Sequence, residues 1–197
     1  DQTLAFFGEV TWDKLAGAYM TVWLVTNLLG VLMAKPASSR FGKRAVFMGA
    51  MAIGCVFSVL FYWVNPNDIA VIFGLNIIMG IASGIVLPLI WSMYADIADY
   101  SEWKTGRRAT GLVFSSSSMS QKLGWTLGGA ITGWLLAAYG FEANAEQSVE
   151  SLKGIRLMIT IYPAAGALLS VLFLTIYKLN DKYMQSITDE LAERREA

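Results

Sequence analysis

A single charge, Lys122, lies inside the stretch GLVFSSSSMSQKLGWTLGGAITGW, Gly111 to Trp134, itself part of an apolar-to-small run from Thr110 to Tyr139. Such a run is long enough to cross a bilayer, and Lys122 falls about twelve residues in, on the order of 18 Å along a helix. A lysine at mid-depth costs about 3 kcal/mol or more and is usually functional or paired. Ser115, Ser118, Lys122 and Trp125 recur at three- and four-residue spacing and so share one helix face, with Ser117 and Gln121 flanking it. Hydroxyls, an amide, an ammonium and an aromatic ring on and beside one face read as the wall of a polar cavity. The plainer reading is that the serines bond their own helix carbonyls and the lysine snorkels.

A second constellation is DIADYSEWKTGRR, Asp96 to Arg108. Asp96 and Asp99 are three apart and share a helix face at the membrane boundary. Glu102, Lys104, Arg107 and Arg108 follow at once. The cluster reads three ways: a hydrated loop whose basic residues set topology, an Asp-rich metal–diphosphate site short of the usual acid density, or an ionic latch closing one end of a moving bundle.

Both constellations need membrane-spanning elements to position them. Of the 197 residues 55% are hydrophobic and only 15% charged, where a soluble domain carries about 25% charge. The apolar surplus falls in long blocks, so the fold class is an all-α, polytopic membrane helical bundle. Zero net charge argues against a nucleic-acid partner. With no histidine and a lone Cys55, imidazole bases, disulfide frameworks and Cys/His metal clusters drop out.

Five transmembrane helices are expected, at about residues 15–34, 45–64, 69–94, 110–139 and 155–177. Asp1 to Asp13 reads as an extramembrane lead-in, and residues 178–197 as a charged tail, helical and solvated. Pro88 and Pro163 lie inside spans, where each frees a backbone carbonyl. Gly80 and Gly84, Gly124 and Gly128, and Gly129 and Gly133 are spaced for close helix approach. Lys35, Arg40, Lys43 and Arg44, then Lys104, Arg107 and Arg108, then the tail all fall on one side. That side is the cytoplasm by the positive-inside rule, with the N-terminus outside. An odd number of spans is unusual for a transporter half, and the chain begins at Asp1 rather than Met. It therefore reads as a piece of a longer product.

ADIADYSEWKTGRR followed by GLVFSSSSMSQKLGWTLGGAITGW resembles the glycoside–pentoside–hexuronide:cation symporter family of the major facilitator superfamily. Ser101 stands where that family often has glycine. The short basic turn Arg40 to Arg44 is similar to the superfamily's loop between the second and third spans of a half. The resemblance covers essentially the whole chain and implies the C-terminal half, the eighth to twelfth helices of twelve. It places Lys122 on a cavity lysine of the eleventh helix and Ser117 and Ser118 on pocket-lining positions. It puts Leu87 where the family carries a pocket aromatic. The family's cation site and most of its sugar-binding carboxylates lie in the N-terminal half.

The expected function is thus half of a secondary active transporter, moving a sugar or glycoside with Na⁺ or H⁺ by alternating access. Its substrate-binding residues are Lys122, Ser117, Ser118, Gln121 and Trp125, and its cytoplasmic gate is Asp96, Asp99, Glu102, Lys104, Arg107 and Arg108. This half is expected to bind no cofactor. The coupling ion belongs to the missing N-terminal half, which is the chain's partner in the lipid bilayer of the cell (inner) membrane. Other classes are a non-transporting assembly subunit and, remotely, a protein with a lysine-linked chromophore. An enzyme is not expected, since no nucleophile or histidine accompanies Lys122.

Overall fold

The computed structural model describes residues 2–4, 8–10 and 12–196. Two short antiparallel strands, β1 (Gln2–Leu4) and β2 (Gly8–Val10), pair with Thr3 opposite Glu9. Of the expected lead-in, residues 1, 5–7 and 11 lie outside the described residues, and Trp12 and Asp13 open the first helix. Seven helices follow: α1 (Trp12–Phe41), α2 (Lys43–Phe61), α3 (Ile69–Thr105), α4 (Thr110–Ala138), α5 (Val149–Ile159), α6 (Ile161–Ile176) and α7 (Asp181–Glu196). Among the described residues the chain is an all-helical bundle apart from those strands.

Among the described residues, four segments are long and apolar enough to cross a membrane: Lys14–Phe41, Lys43–Phe61, Ile69–Thr105 and Val149–Ile176. The fifth expected span, α4, is 29 residues long but falls short in apolarity, because its serines, Gln121 and Lys122 interrupt the aliphatic run. The last span is two helices rather than one. Thr160 takes φ −122° and ψ −75° between α5 and α6, and Pro163 lacks the N–H that would continue the ladder. The break is sealed from within, since the Ser58 hydroxyl donates to the Thr160 carbonyl at 2.7 Å.

The bundle is organised on the α1–α3 seam. A Cβ on Gly84 would sit 3.0 Å from the Gly30 Cα and 2.9 Å from the Asn27 carbonyl carbon. Only hydrogen fits there, so the two backbones touch. Ala34, Phe47, Leu89 and Met93 form the core beside it, closed by side chains of α2 and by Leu174 and Tyr177. The α1–α2 connection is Gly42 alone, at φ +88°, a conformation that favours glycine.

Two expectations fail at the basic end. Helix α3 continues past Tyr94, the expected end of the third span, and DIADYSEWKT is helical, which keeps Asp96 and Asp99 on one face and sets aside the loop among its three readings. Nothing in it breaks a helix, so α3 runs on for 37 residues to Thr105. It ends on the left-handed Gly106, whose N–H bonds the Glu102 carbonyl at 2.8 Å. Nor is the tail simply solvated. Met184, Ile187 and Leu191 of α7 are buried against Tyr100, Trp103 and Leu179, so α7 is seated on the extension of α3.

Candidate functional site

A cavity of about 520 Å³ opens between α1, α3 and α4. α1 gives it Asn27; α3 gives Ser83, Val86, Leu87, Ile90, Trp91 and Tyr94; α4 gives Ser117, Ser120 and Gln121. Three aromatic rings hold its α3–α4 wall. Trp91 stacks on Phe114 with centroids 5.8 Å apart and planes 18° from parallel, and Tyr94 meets both edge-on. The Ser117 hydroxyl donates to its own helix at Val113 O, 2.7 Å away, which leaves its lone pairs as acceptors. Ser115 does the same toward Leu112 O at 3.1 Å.

The structure divides the residues that the sequence grouped. Ser117 and Gln121 line the cavity, whereas Ser118, Lys122 and Trp125 are not among its lining residues. One residue of an α-helix turns about 100°, so each step from Gln121 to Lys122 or from Ser117 to Ser118 changes face. Lys122 is exposed and Trp125 is 71% exposed. Lys122 makes no ion pair among the described residues; its carbonyl accepts from the Thr126 hydroxyl at 2.9 Å. Leu87 does stand in the cavity wall. Asn27, Ser83, Trp91, Tyr94 and Ser120 were missed. A lone amide at Asn27 within an apolar span was a readable signal; the others needed the packing.

At the basic end the charged residues meet partners within this chain. Lys43, the first residue of α2, grips both oxygens of Asp96 at 2.7 and 2.8 Å. Arg108 reaches Asp99 at 2.7 Å and, more distantly, Glu102 at 3.8 Å. Arg195 of α7 takes both oxygens of Glu102, at 2.8 and 2.9 Å. That hydrogen bonding, and then the carboxylate charge, raises the Arg195 guanidinium above its ordinary value. Lys104 lies 5.6 Å from the Tyr100 ring centroid, a cation–π placement. Arg107 makes no ion pair among the described residues; its carbonyl accepts from Ser101 at 3.3 Å. Each carboxylate of the cluster is thus held by a basic side chain rather than by its acidic neighbour. Arg195 was the partner the sequence reading missed, although the spacing of Met184, Ile187 and Leu191 marks an apolar stripe.

α7 is fixed by more than Arg195. The Trp103 indole donates to Glu190 at 2.6 Å, and Arg194 donates to the Trp103 carbonyl at 3.1 Å. The Lys43 backbone N–H donates to Asp181, 3.0 Å away. The α1–α2 turn, the end of α3 and α7 therefore form one charged platform.

Residues 3–181 match the family described as MFS/sugar transport protein. The chain is 31% identical to the Glucuronide carrier protein homolog of Escherichia coli (strain K12), over 91% of this chain and 40% of that protein. It is also 31% identical to the Inner membrane symporter YicJ of Escherichia coli (strain K12), over 93% of this chain and 41% of that protein. It spans about two fifths of the length of such curated relatives, 36 to 41%.

Proposed function

This chain belongs to the MFS/sugar transport protein family, and on that premise we propose that it is the C-terminal half of a cation-coupled sugar or glycoside symporter. It is a multi-pass membrane protein of the glycoside-transporting branch that its motifs resembled. The observation that carries the transport reading is the cavity of about 520 Å³ inside an apolar bundle, with Ser117 and Gln121 facing Asn27 and Trp91 across it. Such a volume suits a small ligand, and a few polar groups on a largely apolar wall set its orientation.

The two rows of α4 then take two tasks. Ser117 and Gln121 hold substrate from this half's cavity. Ser118, Lys122 and Trp125 face the absent N-terminal half and complete the site from its side. Lys122 meets a carboxylate of that half when the site is empty and sugar hydroxyls when it is filled. The coupling ion, Na⁺ or H⁺, is bound in the N-terminal half. The basic end, with Asp96, Asp99, Glu102, Lys104, Arg107 and Arg108, is the cytoplasmic gate region of the inner membrane, and the N-terminus of this chain lies outside.

The test is uptake by the full-length carrier in proteoliposomes, with imposed Na⁺ or proton gradients and p-nitrophenyl glycosides and glucuronides as substrates. One gradient should drive accumulation above the external concentration. Uptake of no glycoside under either gradient would overturn the reading.

A further inference from the structure

The cavity wall carries one indole, that of Trp91. A tryptophan inside a membrane span ordinarily packs in the bundle or meets lipid. Trp91 is 40% exposed and lines a cavity with Asn27, Ser117 and Gln121. Its ring is held in place, because Phe114 lies parallel to it at 5.8 Å and Tyr94 stands against it edge-on. Phe114 covers one face, so what the indole gives to the cavity is its other face or its edge. A fixed aromatic surface opposite hydroxyls and amides is complementary to a ring with axial C–H groups on one side and equatorial hydroxyls around its rim.

The charge of the lining narrows the ligand further. The ten residues by which this half lines the cavity are all neutral, so none of them offers a carboxylate or sulfonate a counter-ion. Lys122, the nearest cation in sequence, sits one residue beyond Gln121 on the neighbouring face of α4. Asn27 is loosely held: its amide nitrogen reaches the Gly80 carbonyl only at 3.5 Å, and its side-chain oxygen has no hydrogen-bond partner among the described residues.

The geometry points to Trp91 as the stacking wall for a neutral pyranoside ring, with Asn27 and Gln121 reading its hydroxyls, and to any anionic substituent being directed out of this cavity toward Lys122. This rests on the carrier reading above. It makes Trp91 an affinity-determining residue for the ring, and the Gln121–Lys122 step the border between the neutral and the anionic subsite.

The experiment measures uptake kinetics of the full-length carrier in proteoliposomes with p-nitrophenyl glucosides, galactosides and glucuronides. Trp91→Leu should raise KM for every transported pyranoside about tenfold while Vmax changes much less, and Trp91→Tyr should restore most of the affinity. Trp91→Cys, in a carrier otherwise free of cysteine, should be alkylated by N-ethylmaleimide and protected by the transported glycoside. That readout stands even if Trp91→Leu fails to reach the membrane. Wild-type uptake with an unchanged KM in Trp91→Leu, or alkylation of Trp91→Cys indifferent to glycoside, would overturn the stacking wall and leave the carrier reading intact. A wild-type carrier that moves none of the probes would overturn the carrier reading, and this inference with it.

Discussion

The α1–α3 seam and helix α4 carry the same spacing of small residues and put it to opposite use. At the seam Gly30, Gly80 and Gly84 are spent on contact, and a methyl on any of them would strike backbone or Thr26. On α4, Gly124, Gly128, Gly129 and Gly133 have nothing within reach of a Cβ, and no α4 residue is buried. Small residues at four-residue spacing permit close approach. Whether approach happens depends on a partner with a matching face. α3 has one in α1; α4 has none among the described residues, and its two tryptophans, Trp125 and Trp134, are more than 70% exposed. This is the arrangement expected of a helix whose other neighbour belongs to the rest of a longer carrier.

The largest effect should come from filling the seam. Gly84→Val places a branched side chain against the Asn27 carbonyl and the Gly30 Cα, neither of which can rotate away. It should cost about 3 kcal/mol or more, and the full-length carrier should express poorly and melt early. Gly124→Val meets open space in this half, so the carrier should stay folded and lose transport instead, through the contact with the other half. Equal losses of thermal stability in the two variants would collapse the distinction between seam and open face.

The next effect falls on transport alone. Lys122 has no acid to pair with on the described membrane helices, since Asp96 and Asp99 are occupied at the basic end. Lys122→Ala should keep expression and abolish accumulation. Lys122→Arg should fail as well, because a planar guanidinium does not replace a compact ammonium in a shaped site. Normal accumulation by Lys122→Ala would mean that the outward row of α4 meets lipid and the lysine merely snorkels.

The contrast also explains what the sequence disclosed and what it withheld. The all-helical fold class was legible, because apolar blocks between charged turns need no tertiary information. The Gly80–Gly84 contact was legible as a capacity, though not as a contact with α1. The two rows of α4 were legible as rows, since spacing puts Ser118, Lys122 and Trp125 on one face with Ser117 and Gln121 flanking it, but only α1 and α3 decide that Ser117 and Gln121 line the cavity. Charge misled twice. Acidic and basic residues after Tyr94 admitted a hydrated loop as one of three readings, yet Gly106 is the first residue to end the helix, and the charged tail hid the apolar stripe of Met184, Ile187 and Leu191.

Smaller effects separate two ion pairs that look alike in sequence. Asp96 is 13% exposed and bound through both oxygens to Lys43, which joins α2 to α3 inside this half. This pair ties two packed helices together, so Asp96→Asn should lower thermal stability by about 2 kcal/mol and leave the balance of accessibility alone. Asp99 is more exposed, and its partner Arg108 lies in the turn that launches α4. Asp99→Asn should therefore shift the carrier toward the inward-open form, by about 1 kcal/mol. Cysteine accessibility from each side, measured beside thermal melting, reads both. An accessibility shift in Asp96→Asn with none in Asp99→Asn would reverse the assignment.

The smallest effect should be at the surface of α7, where an ion pair and an apolar seat compete to explain one docked helix. Arg195 and Glu102 meet at 2.8 Å, but the arginine side chain is 55% exposed and both partners lie at the water-facing end. Salt screens such a pair, and ordering two long side chains offsets much of its attraction. Ile187 is 1% exposed beneath the helix, beside Met184 and Leu191, so its burial does not depend on ionic strength. Limited trypsin cleavage at Lys182 and Arg194 should thus accelerate several-fold in Ile187→Ala and hardly at all in Arg195→Ala, in low and in physiological salt alike. If Arg195→Ala frees the tail as readily as Ile187→Ala, or if salt alone does so, then charge rather than the apolar stripe holds α7 on α3. The platform would then be as loosely joined as the open face of α4.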